Sequence, residues 1–248
     1  MTHDFHLADA RKLFLNAGRT IENVRRDFPE WHRNRPRYVL WALDVDSPPV
    51  RQVIADATSR LDGLLLEGYA RQAHITLALG GFPDMRPIRP DDYGPAALQA
   101  HVEALQTLAL TPFQICIGGL ASFSSAPFLA VHDAGGSIRR LRKALHPGSE
   151  HPGGPYLPHV TVGLYDGSWP VARVQPALDA VDCTSPVPCT IERISLMAYT
   201  ASEIGGPLSI LADFDLRRGE LDWRGRALFS APDALHAPYP EDASSSSG

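Results

Sequence analysis

Two four-residue stretches share one form, His74-Ile75-Thr76-Leu77 and His159-Val160-Thr161-Val162: a histidine, an apolar residue, a threonine and a second apolar residue. On an extended strand, side chains at i and i+2 leave by one face and those between by the other. Each stretch therefore presents an imidazole and a hydroxyl together and buries its aliphatic residues behind them. Displacement at phosphorus puts the attacking and leaving oxygens on opposite sides, so one group must take a proton while another, across the phosphate, gives one. Two histidines facing each other satisfy that, because imidazole titrates near neutrality and one ring can be neutral while the other is protonated. The two hydroxyls can hydrogen-bond the non-bridging oxygens, and no metal is required. One such tetrad is a weak signal; the pair is a specific one. The catalytic set is read as His74, Thr76, His159 and Thr161, against the plainer alternative of satisfied strand histidines and threonines placed for β-propensity.

The elements that must position these residues can be read around them. Ala73 to Leu79 alternates as a strand, with Gly80, Gly81 and Pro83 stopping it, and Pro158 to Leu164 is the strand of the second histidine. Before His74 come a buried strand, Tyr38 to Val45, and a helix started by Ser47 and Pro48 with Val50, Val53, Ile54, Ala57 and Leu61 as its apolar stripe. A helix marked by Leu98, Val102, Leu105 and Ala109 leads to a hairpin of Phe113 to Leu120 and Phe128 to His132. Ile138, Leu141 and Leu145 then share a helical face broken at Pro147 and Gly148. A short helix near Val171 to Val181 and strands at Ile191 to Tyr199 and Leu208 to Leu216 follow the second tetrad. The order of elements around His74 repeats around His159, which predicts two lobes related by a pseudo-twofold axis, each contributing one histidine strand to a common cleft. Three regions are expected: a helical N-terminal extension over 1–35, with one helix over 4–28 ended by Arg35 and Pro36; the two-lobed domain over 36–216; and a C-terminal extension over 217–248. Past Arg217 the pattern decays, and Ala243 to Gly248 is expected to be a mobile tail.

Composition narrows the partners. With 248 residues, 44% of them hydrophobic, the chain can bury a sizeable core. It has no run of eighteen apolar residues, and Met1 to Asp9 lacks the basic-then-apolar order of a secretory signal, so a cytoplasmic protein without a membrane segment is expected. A net charge of −5 argues against coating duplex DNA or long nucleic acid and suits a nucleotide or short RNA. Apart from Lys12 and Lys143 the cations are arginines, the better forks for phosphate oxygens. Cys116, Cys183 and Cys189 form no CxxC pair and read as core or bystander thiols. There is no HxxxH, HExxH, Walker loop or GxGxxG, so neither a metal nor a cofactor is expected. No long exposed apolar segment stands out, which favours a monomer.

Some residues carry two readings. Phe123, in the hairpin turn, either stacks on a nucleobase or simply packs. Tyr156 and His151 lie in a Gly and Pro loop, His151 to Pro155 and onward, that either forms a lid and stacking face or holds a surface histidine and a packing tyrosine. Tyr156 and Phe123 are the substrate-binding candidates. Arg139, Arg140, Arg142 and Lys143 form either a solvated helix face or a phosphate-steering patch.

HITL at 74 and HVTV at 159, with the strand Tyr38 to Val45 before them and IERISLMAY after them, resemble the 2H phosphoesterase superfamily near its 2′-5′ RNA ligase and 2′,3′-cyclic phosphodiesterase branch, over residues 36–216. The resemblance implies an α+β bilobal fold of duplicated antiparallel sheets with helices on the outside and the four motif side chains in a central groove, and hydrolysis of cyclic phosphates or 2′-5′ linkages in nucleotides or RNA. It implies His74 as general acid on the leaving 3′ oxygen and His159 as the base that activates water. Some relatives carry an arginine shortly after the motif, where this chain has Ala78 and Gly163, so one phosphate-binding cation is missing from that place. Two other functions fit the same motifs: a module that binds a nucleotide without turnover, and a hydrolase of another branch acting on ADP-ribose cyclic phosphate or an RNA 3′ tail.

Overall fold

The computed structural model describes residues 7–146, 156–179 and 186–229. The elements run α1 (Leu7–Ala17), α2 (Pro29–His32), β1 (Arg37–Asp44), α3 (Pro48–Arg60), β2 (His74–Pro83), β3 (Asp92–Tyr93), α4 (Pro95–Leu108), β4 (Phe113–Ser122), β5 (Pro127–His132), α5 (Ser137–Leu145), β6 (His159–Thr161), α6 (Val171–Asp179), β7 (Val187–Ile191), β8 (Arg193–Thr200), β9 (Ser209–Asp215) and β10 (Glu220–Trp223). The strands make a six-stranded sheet, β10-β9-β8-β1-β2-β3, and a four-stranded sheet, β6-β5-β4-β7. Every pairing is antiparallel except that of β2 with the two-residue β3. This is the expected α+β architecture, with one histidine strand in each sheet.

The repeat is visible in the topology. β1-α3-β2 and β5-α5-β6 are each a strand, a helix and an antiparallel neighbour that begins with the motif histidine. Across the sheets, β2-β1-β8-β9 corresponds to β6-β5-β4-β7. The alternation of each strand sorts its side chains. Trp41, Leu43, Ile75, Leu77, Val160, Ile194 and Leu196 join the main core, and burying each such side chain is worth roughly 1.5–3 kcal/mol. His74 lies opposite Asp44 and Thr76 opposite Ala42, on the other face of the first sheet, while Ala130 opposes His159 and Phe128 opposes Thr161 in the second.

The N-terminal helix is shorter than its spacing implies. It stops at Ala17, because Gly18 takes a left-handed φ of +70° and turns the chain out of the helix. From there the chain runs extended beside the second lobe, with Thr20 N donating to Trp169 O (2.8 Å), Ile21 N to Ser124 O (2.7 Å) and Asn23 N to Tyr165 O (2.8 Å). Ile21, which fits the helical period, is instead exposed. In β2 the glycines do not stop the strand. Gly81, at φ +127°, bulges it, and a Cβ there would collide with the Asp91 carbonyl, so this glycine is what allows the β3 segment to lie alongside. β6 is shorter than Pro158 to Leu164: its ladder to β5 closes with Val162 N donating to Pro127 O (3.0 Å), and beyond it Leu164 O accepts Leu66 N (2.7 Å) from outside the sheet. Past Arg217, β10 extends the first sheet, with Leu221 and Trp223 packed on the core. Helix starts and stops at α3, α4 and α5 fall within a few residues of expectation. Phe5, Pro147, Gly148, His151, the loop to Pro155, Val181, Cys183 and the Ala243–Gly248 tail lie outside the described residues. Among the described residues no helix is long and apolar enough to cross a membrane.

Candidate active site

Both histidines stand at the first residue of their strands, and both are held in the same way. His74 Nδ1 lies 2.8 Å from the Gln72 carbonyl, and His159 Nδ1 lies 2.8 Å from the Leu157 carbonyl. A carbonyl oxygen only accepts, so Nδ1 must carry the proton in each ring, and in the neutral imidazole Nε2 is left as the basic nitrogen. The chain folds back two residues before each histidine to make this bond, but the means differ. Gln72 is tied by its side chain to both polar groups of one residue, Nε2 to Leu208 O (2.9 Å) and Oε1 from Leu208 N (2.8 Å). Leu157 is held by apolar packing against Ala10, Ala121 and Phe128.

The two strands are brought to one place by side chains that cross between them. Tyr156 donates its hydroxyl to the Thr76 carbonyl (2.8 Å), and its ring lies 3.7 Å under the Arg142 guanidinium. Arg142 Nη1 in turn donates to Leu77 O (2.6 Å), so helix α5 of the second unit grips the strand that carries His74. Tyr69 lies beside the Thr161 side chain. His74 and His159 are near enough that a positive charge on His159 disfavours one on His74, the smallest of the causes that lower the His74 pKa and well behind burial. Thr76 and Thr161 are half-buried beside them. Phe123 stacks on Phe128 (centroids 4.3 Å apart, 28° between planes) and meets His159 edge to face (5.0 Å, 82°). Of the two substrate-binding candidates, Tyr156 is therefore engaged as a brace through both hydroxyl and ring, and Phe123 is a wall against the His159 imidazole.

Burial keeps both rings neutral. Burial pulls the His74 pKa down to about 4, helped by the charges of Arg71 and His159 and opposed by the Gln72 bond. Burial also lowers His159, helped by Arg142 and opposed by the Leu157 bond. Burial pushes the Tyr69 and Tyr156 hydroxyls up, so both stay protonated. A bound phosphodiester would supply the missing negative charge and raise both imidazoles again.

Two cations outside the expected site residues lie here. Arg71, three residues before His74, lies over the Tyr199 ring (4.3 Å to its centroid), while its buried Nε finds no partner among the described residues. The places where an arginine is expected lie after each motif and hold Ala78 and Gly163, yet the charge comes from the residues leading in. Arg142 sits in sequence among Arg139, Arg140 and Lys143, which do lie exposed. Its position four residues after Ile138 and three before Leu145, on the apolar stripe of α5, is the signal that it turns inward. Among the described residues no three His, Cys, Asp or Glu side chains gather as metal ligands.

Residues 44–203 match the model of the 2′-5′ RNA ligase superfamily. No curated protein matches. Among solved structures, TT0787 of Thermus thermophilus is 19% identical, with 73% of this chain and 98% of that one covered and a TM-score of 0.48. The E. coli LigT complexed with 3′-AMP is 15% identical over the same shares at 0.46. The E. coli LigT complexed with NADP+ is 16% identical over 71% and 94% at 0.43.

Proposed function

The chain belongs to the 2′-5′ RNA ligase superfamily, and we propose that it is a metal-independent phosphodiesterase that hydrolyses 2′,3′-cyclic phosphates or 2′-5′ linkages of nucleotides and short RNA, acting as a cytoplasmic monomer. The observation that carries this reading is the identical Nδ1 anchoring of the two imidazoles, which leaves an Nε2 on each as the group that can exchange a proton. His159 Nε2 takes a proton from water as the water oxygen bonds to phosphorus. The bond from phosphorus to the 3′ oxygen breaks, and His74 Nε2 delivers its proton to that oxygen, leaving a 2′-phosphomonoester. The Thr76 and Thr161 hydroxyls and the Arg71 guanidinium hold the non-bridging oxygens. Proton transfer by positioned groups of this kind contributes roughly 10²–10⁴-fold, and the residues named supply both transfers.

The reaction needs one proton shared by the pair. Burial favours the neutral rings and moves both titrations below the ordinary 6.5. The singly protonated pair is therefore most populated on the acid side of 6.5, and kcat/KM for a 2′,3′-cyclic nucleotide should be bell-shaped with its maximum there. The direct test is incubation with 2′,3′-cyclic AMP in EDTA. Accumulation of 2′-AMP supports the proposal, whereas turnover that vanishes with chelator, or a rate maximum above about pH 7, counts against it. A nucleotide-binding module without turnover is favoured by one feature, the burial that pulls the His74 pKa down to about 4 and so disfavours the imidazolium that a general acid needs. Intact ligand after long incubation, with affinity lost on mutating Thr76 and Thr161, would establish that reading instead.

A further inference from the structure

A cavity of about 320 Å³ opens beside Thr161, with neither Tyr156 nor Phe123 in its walls. Its walls come from the end of α3 (Ile54, Thr58), the loop that follows it (Leu61 to Tyr69), Arg71, and the chain from Thr161 to Gly163. It exists for a local reason. Leu66 N is bonded to Leu164 O and Leu65 pairs with Tyr165, so the loop is stitched along the chain that leaves β6. At the seam stands Gly163, whose missing side chain leaves room, because a Cβ there would already lie 3.1 Å from Leu65 Cδ1. The position that lacks an arginine is thus part of the cavity floor.

We propose that this cavity takes the nucleobase of the substrate whose phosphate lies between the two histidines, an inference that rests on the phosphodiesterase reading and names where its substrate is recognised. Three features point to a base. The volume is near the lower end of the ~300–1,000 Å³ range of small-molecule sites, room for a nucleoside and not for a further nucleotide. Ile54, Leu61, Leu65, Leu66 and Val162 provide apolar surface for a flat ring. Asp62 and Glu67 line the same cavity and repel a second phosphate, so the part of the ligand that enters is uncharged. Arg71 and Thr161 belong both to the cavity and to the surroundings of the histidines, which makes the two continuous through one ribose.

The test uses Thr58→Trp, an exposed helix position whose new side chain would fill the cavity, with Ser59→Trp, the next exposed residue and outside it, as control. Binding of 2′-AMP and of inorganic phosphate is measured by calorimetry on all three proteins, and turnover of 2′,3′-cyclic AMP is compared with that of methyl riboside 2′,3′-cyclic phosphate, which has no base. The wild type and Ser59→Trp should prefer the nucleotide over the base-free ligand by at least tenfold in both measurements, and Thr58→Trp should lose that preference. If the wild type binds 2′-AMP no better than phosphate, or if Thr58→Trp keeps the full preference, the assignment is overturned. A preference in binding with no turnover of either ester would sink the hydrolytic reading and leave the base pocket standing.

Discussion

The two histidine strands reach one geometry by different physics. β2 is a ten-residue strand inside the larger sheet, with β1 on one side and β3 on the other. β6 is three residues long and lies at the edge of the smaller sheet. His74 is oriented by a carbonyl whose residue is clamped by two amide hydrogen bonds to Leu208, and His159 by a carbonyl whose residue is clamped by apolar packing that includes Ala10 of α1. What is duplicated is the bond from Nδ1 to the carbonyl two residues back, and not the setting that enforces it. The lesson is that a catalytic orientation tolerates any support that is stiff enough, polar on one side and greasy on the other.

That comparison can be broken most directly at the rings. His74→Ala and His159→Ala should each lower kcat by about 10³-fold or more, within the range of a lost proton-transfer group, and the double variant should be little worse than either single one. Losses that multiply would mean that the two rings act independently, contrary to a shared proton.

Next come the cations, one for each side. Arg71→Met should raise KM for a cyclic nucleotide about thirtyfold, since a charge-assisted hydrogen bond to phosphate is worth about 2 kcal/mol. Arg142→Met should act on kcat, because Arg142 is a positioning residue that meets Leu77 O and Tyr156. The split between KM and kcat in steady-state kinetics is the measurement, and the opposite split would exchange their roles.

The supports themselves should separate by stability more than by rate. Gln72→Ala and Leu157→Ala should each reduce kcat about tenfold through a loosened imidazole. Leu157→Ala should also lose about 2–3 kcal/mol of unfolding free energy in urea, against about 1 kcal/mol for Gln72→Ala. Equal stability losses would show that both supports are of one kind. The smallest effect is expected at Phe123→Ala, about three- to tenfold in activity, from the ~0.5–1.5 kcal/mol of a ring contact against His159. His74→Ala in the same background should make that loss disappear if it acts through the proton pair.

Strand periodicity made the motif residues legible, because it is local: a histidine and a threonine two apart on an extended chain share a face wherever the strand sits, and the stripes of α3, α4 and α5 follow from spacing alone. Ordering the elements around each tetrad was enough to anticipate two matched units. Other features could be decided only by the folded molecule. Gly18 ends α1 where the apolar period continues, Gly81 bends β2 where turn residues suggest a stop, and Arg71, Arg142 and Tyr156 find their partners in Tyr199, Leu77 and Thr76, many residues away. Local pattern says which side of an element a residue occupies; what stands opposite that side is set by long-range pairing, and charges and cavities depend on the second.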